Sequence, residues 1–319
     1  MRAANHPQWI TSLLLLPLLT HTRPLTAQTT ADSQPTYTFT VPVDEVILTF
    51  HATGPQSLPA NDLKLSDLAL IDNGVPPRKI LEFRIMQDFP IHAGILIDTS
   101  ESMSNHLSGD RAIAIQFTQS LLRQQTDQAY IMDFGHLSRI QQPWTSNAPE
   151  LVASLRRIST GAESRTAGTA IFDTLYRTCL NQFGKIDHAT SGNVILLFSD
   201  GEDNASSMLL KDAVDMCQRT NTAIYAFRAQ QKPGSGSTGP QTLTELTSQT
   251  GGRVFPDDAS EADTQKALQI IESSLRNQYR LVYRPATLKH DGAFHSIHLE
   301  TPKRFDSITV RSGYYAPAH

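Results

Sequence analysis

The stretch HAGILIDTSESMSNH, residues 92–106, decides how this chain is read. Residues 94–97 have the composition of a strand buried on both faces, and they run straight into Asp98, Ser100 and Ser102. A carboxylate and two hydroxyls thus take alternate positions where a strand leaves the core. Further apolar runs lie at 129–134, 194–198 and 223–227. Helical patterns separate them: Ala114, Phe117 and Leu121 share one helix face, and others fall at 149–158, 170–182, 208–220 and 260–275. Strand alternating with helix predicts an α/β fold with a doubly wound, mostly parallel sheet. Such sheets bind ligands at the carboxyl ends of their strands, beside the switch in strand order. Residues 232–240, KPGSGSTGP, read as a flexible surface loop.

Both flanks of this unit alternate with period two, which reads as strand. On the amino side the pattern covers Tyr37, Phe39, Val41 and Val43, then Val46, Leu48 and Phe50, then a hairpin around Asp72-Asn73-Gly74. On the carboxyl side it covers Tyr279, Leu281 and Tyr283, then Ile297 and Leu299, then Ile308 and Val310. Small isolated sheets are marginal. Residues 28–88 and 277–319 are therefore expected to pair into one smaller β-domain, with residues 89–276 inserted between them.

Residues 1–27 differ from the rest. Arg2 precedes an apolar run from Ile10 to Leu19, and Leu25-Thr26-Ala27 offers a cleavage site, the plan of a secretory signal peptide. The run is shorter than the roughly 20 residues that span a bilayer. An uncleaved anchor is the alternative, and no later segment approaches spanning length. The chain of 319 residues has a formal charge of −4, which falls to −6 without Arg2 and Arg23. That balance argues against a nucleic-acid partner. The mature product is expected to be secreted or periplasmic.

Three loops share the carboxyl side of the expected sheet. The first carries Asp98, Ser100 and Ser102. The second places Thr169 behind Gly168, just before a helix, and the third puts Asp200 at a strand tip beside Gly201. Two carboxylates and three hydroxyls form a hard oxygen set suited to Mg²⁺, with Mn²⁺ or Ca²⁺ as alternatives. Zinc would favour nitrogen or sulfur ligands. With so few anionic donors the cation stays electrophilic towards a further carboxylate. Helix capping by Asp, Ser and Thr is the plainer reading of each loop taken alone.

The order Asp98-x-Ser100-x-Ser102, Gly168-Thr169, Ser199-Asp200-Gly201 resembles the metal-ion-dependent adhesion site of von Willebrand factor type A domains, over about residues 89–275. LIDNGVPPRKILEF, DTSESM, GTAIFDTL, LLFSDGEDN and RSGYYAP are similar to the VWFA-related proteins named for the Acidobacteria. The resemblance implies direct ligation by Ser100 and Ser102, and ligation by Thr169 directly or through water. Asp98 and Asp200 would act mainly through bound water, leaving a sixth position for an Asp or Glu of a protein partner. It implies an adhesion-type, non-enzymatic binding protein. A scaffold of the same fold with a structural metal, or none, is the alternative.

Catalytic readings fit less well. Asp98-Thr99-Ser100 also looks like an aspartic protease signature, but no second copy occurs and a helix pattern follows. A hydrolase would need a nucleophile elbow, and GSGSTG lies in the flexible loop instead. Neither a His-Glu-x-x-His spacing nor a phosphate-binding Gly-x-x-x-x-Gly-Lys-Ser/Thr is present. Cys179 and Cys217 lie about nine residues into helices starting near 170 and 208, hence at matched depth, about 13 Å down the axis. Right-handed crossovers make those helices neighbours, which predicts a disulfide, with two buried thiols as the alternative.

Overall fold

The computed structural model describes residues 45–54, 59–123, 125–160, 168–186, 191–230, 236–287, 289–301 and 305–316. Residues 1–27, and the strand pattern expected over 37–43, lie outside them.

In chain order the strands are β1 (Val46–Thr53), β2 (Ala69–Asp72), β3 (Lys79–Gln87), β4 (Ile91–Asp98), β5 (Gln128–Phe134), β6 (Ser138–Thr145), β7 (Gly192–Ser199), β8 (Thr222–Arg228), β9 (Val254–Pro256), β10 (Asn277–Arg284), β11 (Phe294–Glu300), β12 (Ser307–Val310) and β13 (Gly313–Tyr315). The helices are α1 (Leu107–Leu121), α2 (Ala148–Arg157), α3 (Ile171–Thr178), α4 (Leu210–Arg219), α5 (Gly239–Thr250) and α6 (Glu261–Arg276).

The central sheet has the order β6-β5-β4-β7-β8-β9 and is parallel except for β6. Period-two geometry splits β4 between two cores. Ile91, Ala93, Ile95 and Ile97 face one cluster with Phe117, Leu121, Leu151, Leu155, Ile271 and Leu275, from α1, α2 and α6. Leu96 faces the other, with Ile171, Leu175, Val214, Leu243 and Leu246, from α3, α4 and α5. The sheet is thus covered on both sides, which is why its central strands are apolar throughout. From β4 the chain moves to β5 on one side and later returns to β7 on the other, so the switch in strand order lies between β4 and β7.

Edge strands β6 and β9 and helix α5 lay outside the sequence pattern. Edge strand β6 is polar and contains Pro143, which only an edge accommodates without losing ladder bonds. Helix α5 opens at Gly239-Pro240 and closes at Gly251, which has φ 88°, so the segment read as a loop over 232–240 ends inside a helix.

The flanks form an antiparallel sheet of order β12-β1-β10-β3 and a second sheet of order β13-β11-β2. Phe50 pairs with Tyr279 and with Val310, and Leu70 with Leu299, so both flanks contribute to each sheet. Between the sheets lie Leu48, Phe50, Leu70, Tyr279, Leu281, Tyr283, Ile297 and Leu299. Asn73 and Gly74, at φ 49° and 85°, make the expected turn. The strands it joins do not form the expected hairpin: β2 pairs with β11 and β3 with β10. The chain enters and leaves the α/β unit side by side, since Asn277 pairs with Gln87 and the Asp88 amide donates to the Arg276 carbonyl.

Among the described residues no helix is long and apolar enough to cross a membrane. Cys179 and Cys217 are joined in a disulfide, with Cα atoms 5.1 Å apart.

Candidate functional site

Asp98 ends β4 and is fully buried. Its Oδ1 accepts the Ser100 amide at 2.9 Å, which folds the chain back on itself and turns the next residues across the strand end. A short 3-10 turn, Glu101–Met103, follows, and the buried Met103 side chain anchors it in the core. Thr99 donates its amide and hydroxyl to the Phe134 carbonyl at 2.7 and 3.0 Å, fixing the loop to the end of β5. Within this frame the hydroxyls of Ser100 and Ser102 stand 3.2 Å apart.

Asp200 follows β7 directly, and its Oδ1 accepts the Glu202 amide at 3.0 Å. Gly201 takes φ +85°, and a Cβ there would come within 2.3 Å of the Gly239 carbonyl, so only glycine fits this turn. The Glu202 carboxylate accepts from Ser237 Oγ and from the Gly239 amide, clasping the turn to the start of α5. These bonds hold its pKa below the ordinary range.

Thr169 precedes α3 and is buried. Its amide donates to Asn204 Oδ1 at 2.8 Å, and its carbonyl accepts from the amides of Asn204 and Ala205. The next amide, Ala170, donates to the Gly135 carbonyl at the end of β5. The second loop is therefore tied to the third loop on one side and to β5 on the other. Among the described residues no hydrogen bond joins the Thr169 hydroxyl to the Asp98 turn.

Ser199 unites the first and third loops: its Oγ donates to Asp98 Oδ2 at 2.8 Å and accepts the Gly201 amide at 3.1 Å. Burial, with a smaller contribution from the neighbouring Asp200 charge, pushes the Asp98 carboxyl up to about 6 against the pull of bonds from Ser100 and Ser199. Two carboxylates thus share a buried corner whose positive charge is deficient. Sequence reasoning missed several supports. Asp203 caps α3 by accepting the Phe172 amide, and Asp173 accepts the amides of Ser207 and Met208. The one sequence signal for them was the density of polar residues over 199–207. Among the described residues no three His, Cys, Asp or Glu side chains gather as a metal cage. Any cation here would rely on hydroxyls.

Residues 94–202 match the family model of the von Willebrand factor type A domain. The chain carries a type A domain. Its first and third loops flank the β4/β7 switch, where such a sheet presents its ligand face. Solved structures with a similar fold include BatB from Bacteroides thetaiotaomicron, at 15% identity over 57% of this chain and 97% of that one, with a TM-score of 0.46. An aerotolerance-related membrane protein from Bacteroides fragilis is similar at 16% identity, over 57% and 98%, with a TM-score of 0.45. Proximal thread matrix protein 1 from the mussel byssus, in a structure described as having a zinc-occupied MIDAS motif, is 13% identical over 64% of this chain, with a TM-score of 0.46. The match spans only 50% of that protein. No curated protein matches the chain.

Proposed function

We propose that the type A domain is a non-enzymatic binding module that takes an Asp or Glu carboxylate of a protein partner through a divalent cation at Asp98, Ser100, Ser102, Thr169 and Asp200. The observation that carries this reading is the corner itself: two hydroxyl oxygens 3.2 Å apart in the turn held by the fully buried Asp98 carboxylate, which Ser199 ties to the Asp200 loop. A hard cation would supply the missing charge, and the donor set suits Mg²⁺ or Mn²⁺ better than zinc. Ser100 and Ser102 would offer neutral oxygens directly. Asp98 and Asp200, each already held by a backbone amide, would orient bound water. When bound, the cation would act as a Lewis acid towards the partner's carboxylate.

The division into a signal peptide at 1–27, β flanks at 28–88 and 277–319, and a type A domain at 89–276 belongs to the same proposal. Support comes from the pairing of β1 with β10 and β12, and from the disulfide, which suits an oxidising compartment outside the cytosol. Calorimetric titration with Mn²⁺ and Mg²⁺ tests the site. Saturable heats are expected for the wild type and none for Asp98→Ala. Equal, negligible heats in both proteins would sink the metal-bridging reading and leave an interaction scaffold of the same fold. Chelator-sensitive capture of a partner, lost on neutralising one of that partner's acidic residues, would extend the result to recognition.

A further inference from the structure

We propose that a cleft between α6, β1 and β12, at the opposite end of the sheet from Asp98, binds free inorganic phosphate. The cleft encloses about 70 Å³ and is lined by Arg253, His51, Thr53, Ser273, Ser307 and Thr309, among others, with no carboxylate among the described residues of its wall. One water needs roughly 10–15 Å³ by this kind of measure, so several water-sized groups fit. Arg253 lies just before β9, and among the described residues its guanidinium makes no ion pair or hydrogen bond. A guanidinium facing hydroxyls, with no acid to neutralise it, is the composition of an oxyanion site.

The hydroxyl hydrogens support the same ligand. Among the described residues Ser273 Oγ is buried without a partner, an arrangement that costs free energy unless a ligand or solvent accepts from it. Thr53 Oγ1 and Ser307 Oγ lie 2.7 Å apart; with Thr53 donating to Ser307 Oγ rather than to the Ser307 carbonyl 3.5 Å away, the Ser307 hydrogen is left for the cleft. Thr309 has no hydroxyl partner among the described residues. Ser274 is spent, since its Oγ donates to the Ile270 carbonyl. The last turn of α6 borders the cleft, and its carbonyl ends disfavour an anion, so affinity must rest on Arg253.

His51 distinguishes one oxyanion from another. Its Nδ1 lies 2.7 Å from the Asn277 carbonyl and must carry its hydrogen there, leaving Nε2 as an acceptor in the neutral ring. Burial lowers the pKa of this imidazole, and the charge of Arg253 lowers it further, so the ring is neutral near pH 8. An acceptor in the wall rejects sulfate and a fully ionised phosphate monoester. Hydrogen phosphate still carries one O–H to donate to it.

Calorimetric titration of the full chain with sodium phosphate at pH 8, at ionic strength matched with chloride and without divalent metal, tests this. Saturable binding is expected in the wild type and at least tenfold weaker binding in Arg253→Gln, whose exposed position leaves the fold intact. Ser273→Ala should weaken binding less, and sulfate and methyl phosphate should bind at least tenfold more weakly than phosphate. The assignment is overturned by an unsaturable response, by equal affinity in Arg253→Gln, or by sulfate matching phosphate.

Discussion

The Ser199 hydroxyl bridges two loops of the candidate metal corner, donating to Asp98 Oδ2 at 2.8 Å while it accepts the Gly201 amide. Ile97 pairs with Phe198, so the next residues, Asp98 and Ser199, leave adjacent parallel strands side by side. The register of the sheet is thereby converted into the orientation of a carboxylate. In metal sites, partners that orient ligands from behind typically contribute 10–100-fold in affinity. Ser199→Ala is accordingly expected to weaken Mn²⁺ binding by that factor with the fold retained. Titration beside a circular dichroism melt checks it, and unchanged affinity would remove Ser199 from the site.

The turn after Asp200 depends on a glycine. At Gly201 the backbone is left-handed and a Cβ would run into the Gly239 carbonyl, a backbone atom that cannot swing aside. Gly251 has a similar φ of +88°, but its nearest neighbour would be 3.3 Å away. Gly201→Ala should therefore cost clearly more than Gly251→Ala, where about 1 kcal/mol of conformational strain is joined only by a slightly tight contact with the Arg311 amide. Urea denaturation of both variants gives the comparison, and equal losses would contradict the steric argument.

The disulfide closes a loop between residues 38 apart. Chain-entropy reasoning gives about 4 kcal/mol for such a loop, and measured bridges often contribute less. A Cys179→Ala, Cys217→Ala double variant is expected to lose about 2–4 kcal/mol in denaturation experiments. Both side chains sit in the apolar layer against α3 and α4, so part of that loss is packing. The wild type treated with reductant while unfolded reports the bridge alone. A loss well below 1 kcal/mol in that experiment would mean the bridge contributes little.

How much of this was legible in the sequence depended on which force set each feature. Strands β4, β5, β7 and β8 are buried on both faces, so their apolar runs announced them. The Asp98 and Asp200 turns were legible because short polar motifs interrupt those runs abruptly. Edge strand β6 was not, since one exposed side removes the apolar signal and Pro143 argues against a strand. Helix α5 was hidden behind the Gly-Ser-rich run that leads into Gly239. Turn chemistry at Asp72-Asn73-Gly74 predicted the bend correctly but not its outcome, because long-range pairing with β11 and β10 took the two strands apart. The role of Asn204, holding the Thr169 amide from 35 residues away, rests on tertiary placement that no local pattern encodes.

Asp110, which is not one of the five metal-corner residues, is expected to set a pH dependence of folding stability. It lies in the first turn of α1, fully buried, and neither carboxyl oxygen has a hydrogen-bond partner among the described residues. Burial, then the charge of Asp257, then that of Asp98, push its pKa up to about 8. Asp257 in turn is held by His106, whose Nδ1 lies 2.6 Å from its Oδ2. An unfolded aspartate titrates near 4, so between about pH 4 and pH 8 the folded chain keeps a proton that the unfolded chain has released. The contribution of this group is complete below about pH 4, declines as pH rises, and levels off above about pH 8. The slope is at most about 1.4 kcal/mol per pH unit. Asp110→Asn replaces the protonated acid by a neutral group of the same shape and should remove that slope. Relative to the wild type, the variant is expected to gain stability steadily from pH 5 to pH 8. Urea denaturation at pH 5, 6.5 and 8 measures the difference, and parallel pH profiles for the two proteins would show that Asp110 is ionised in the folded state.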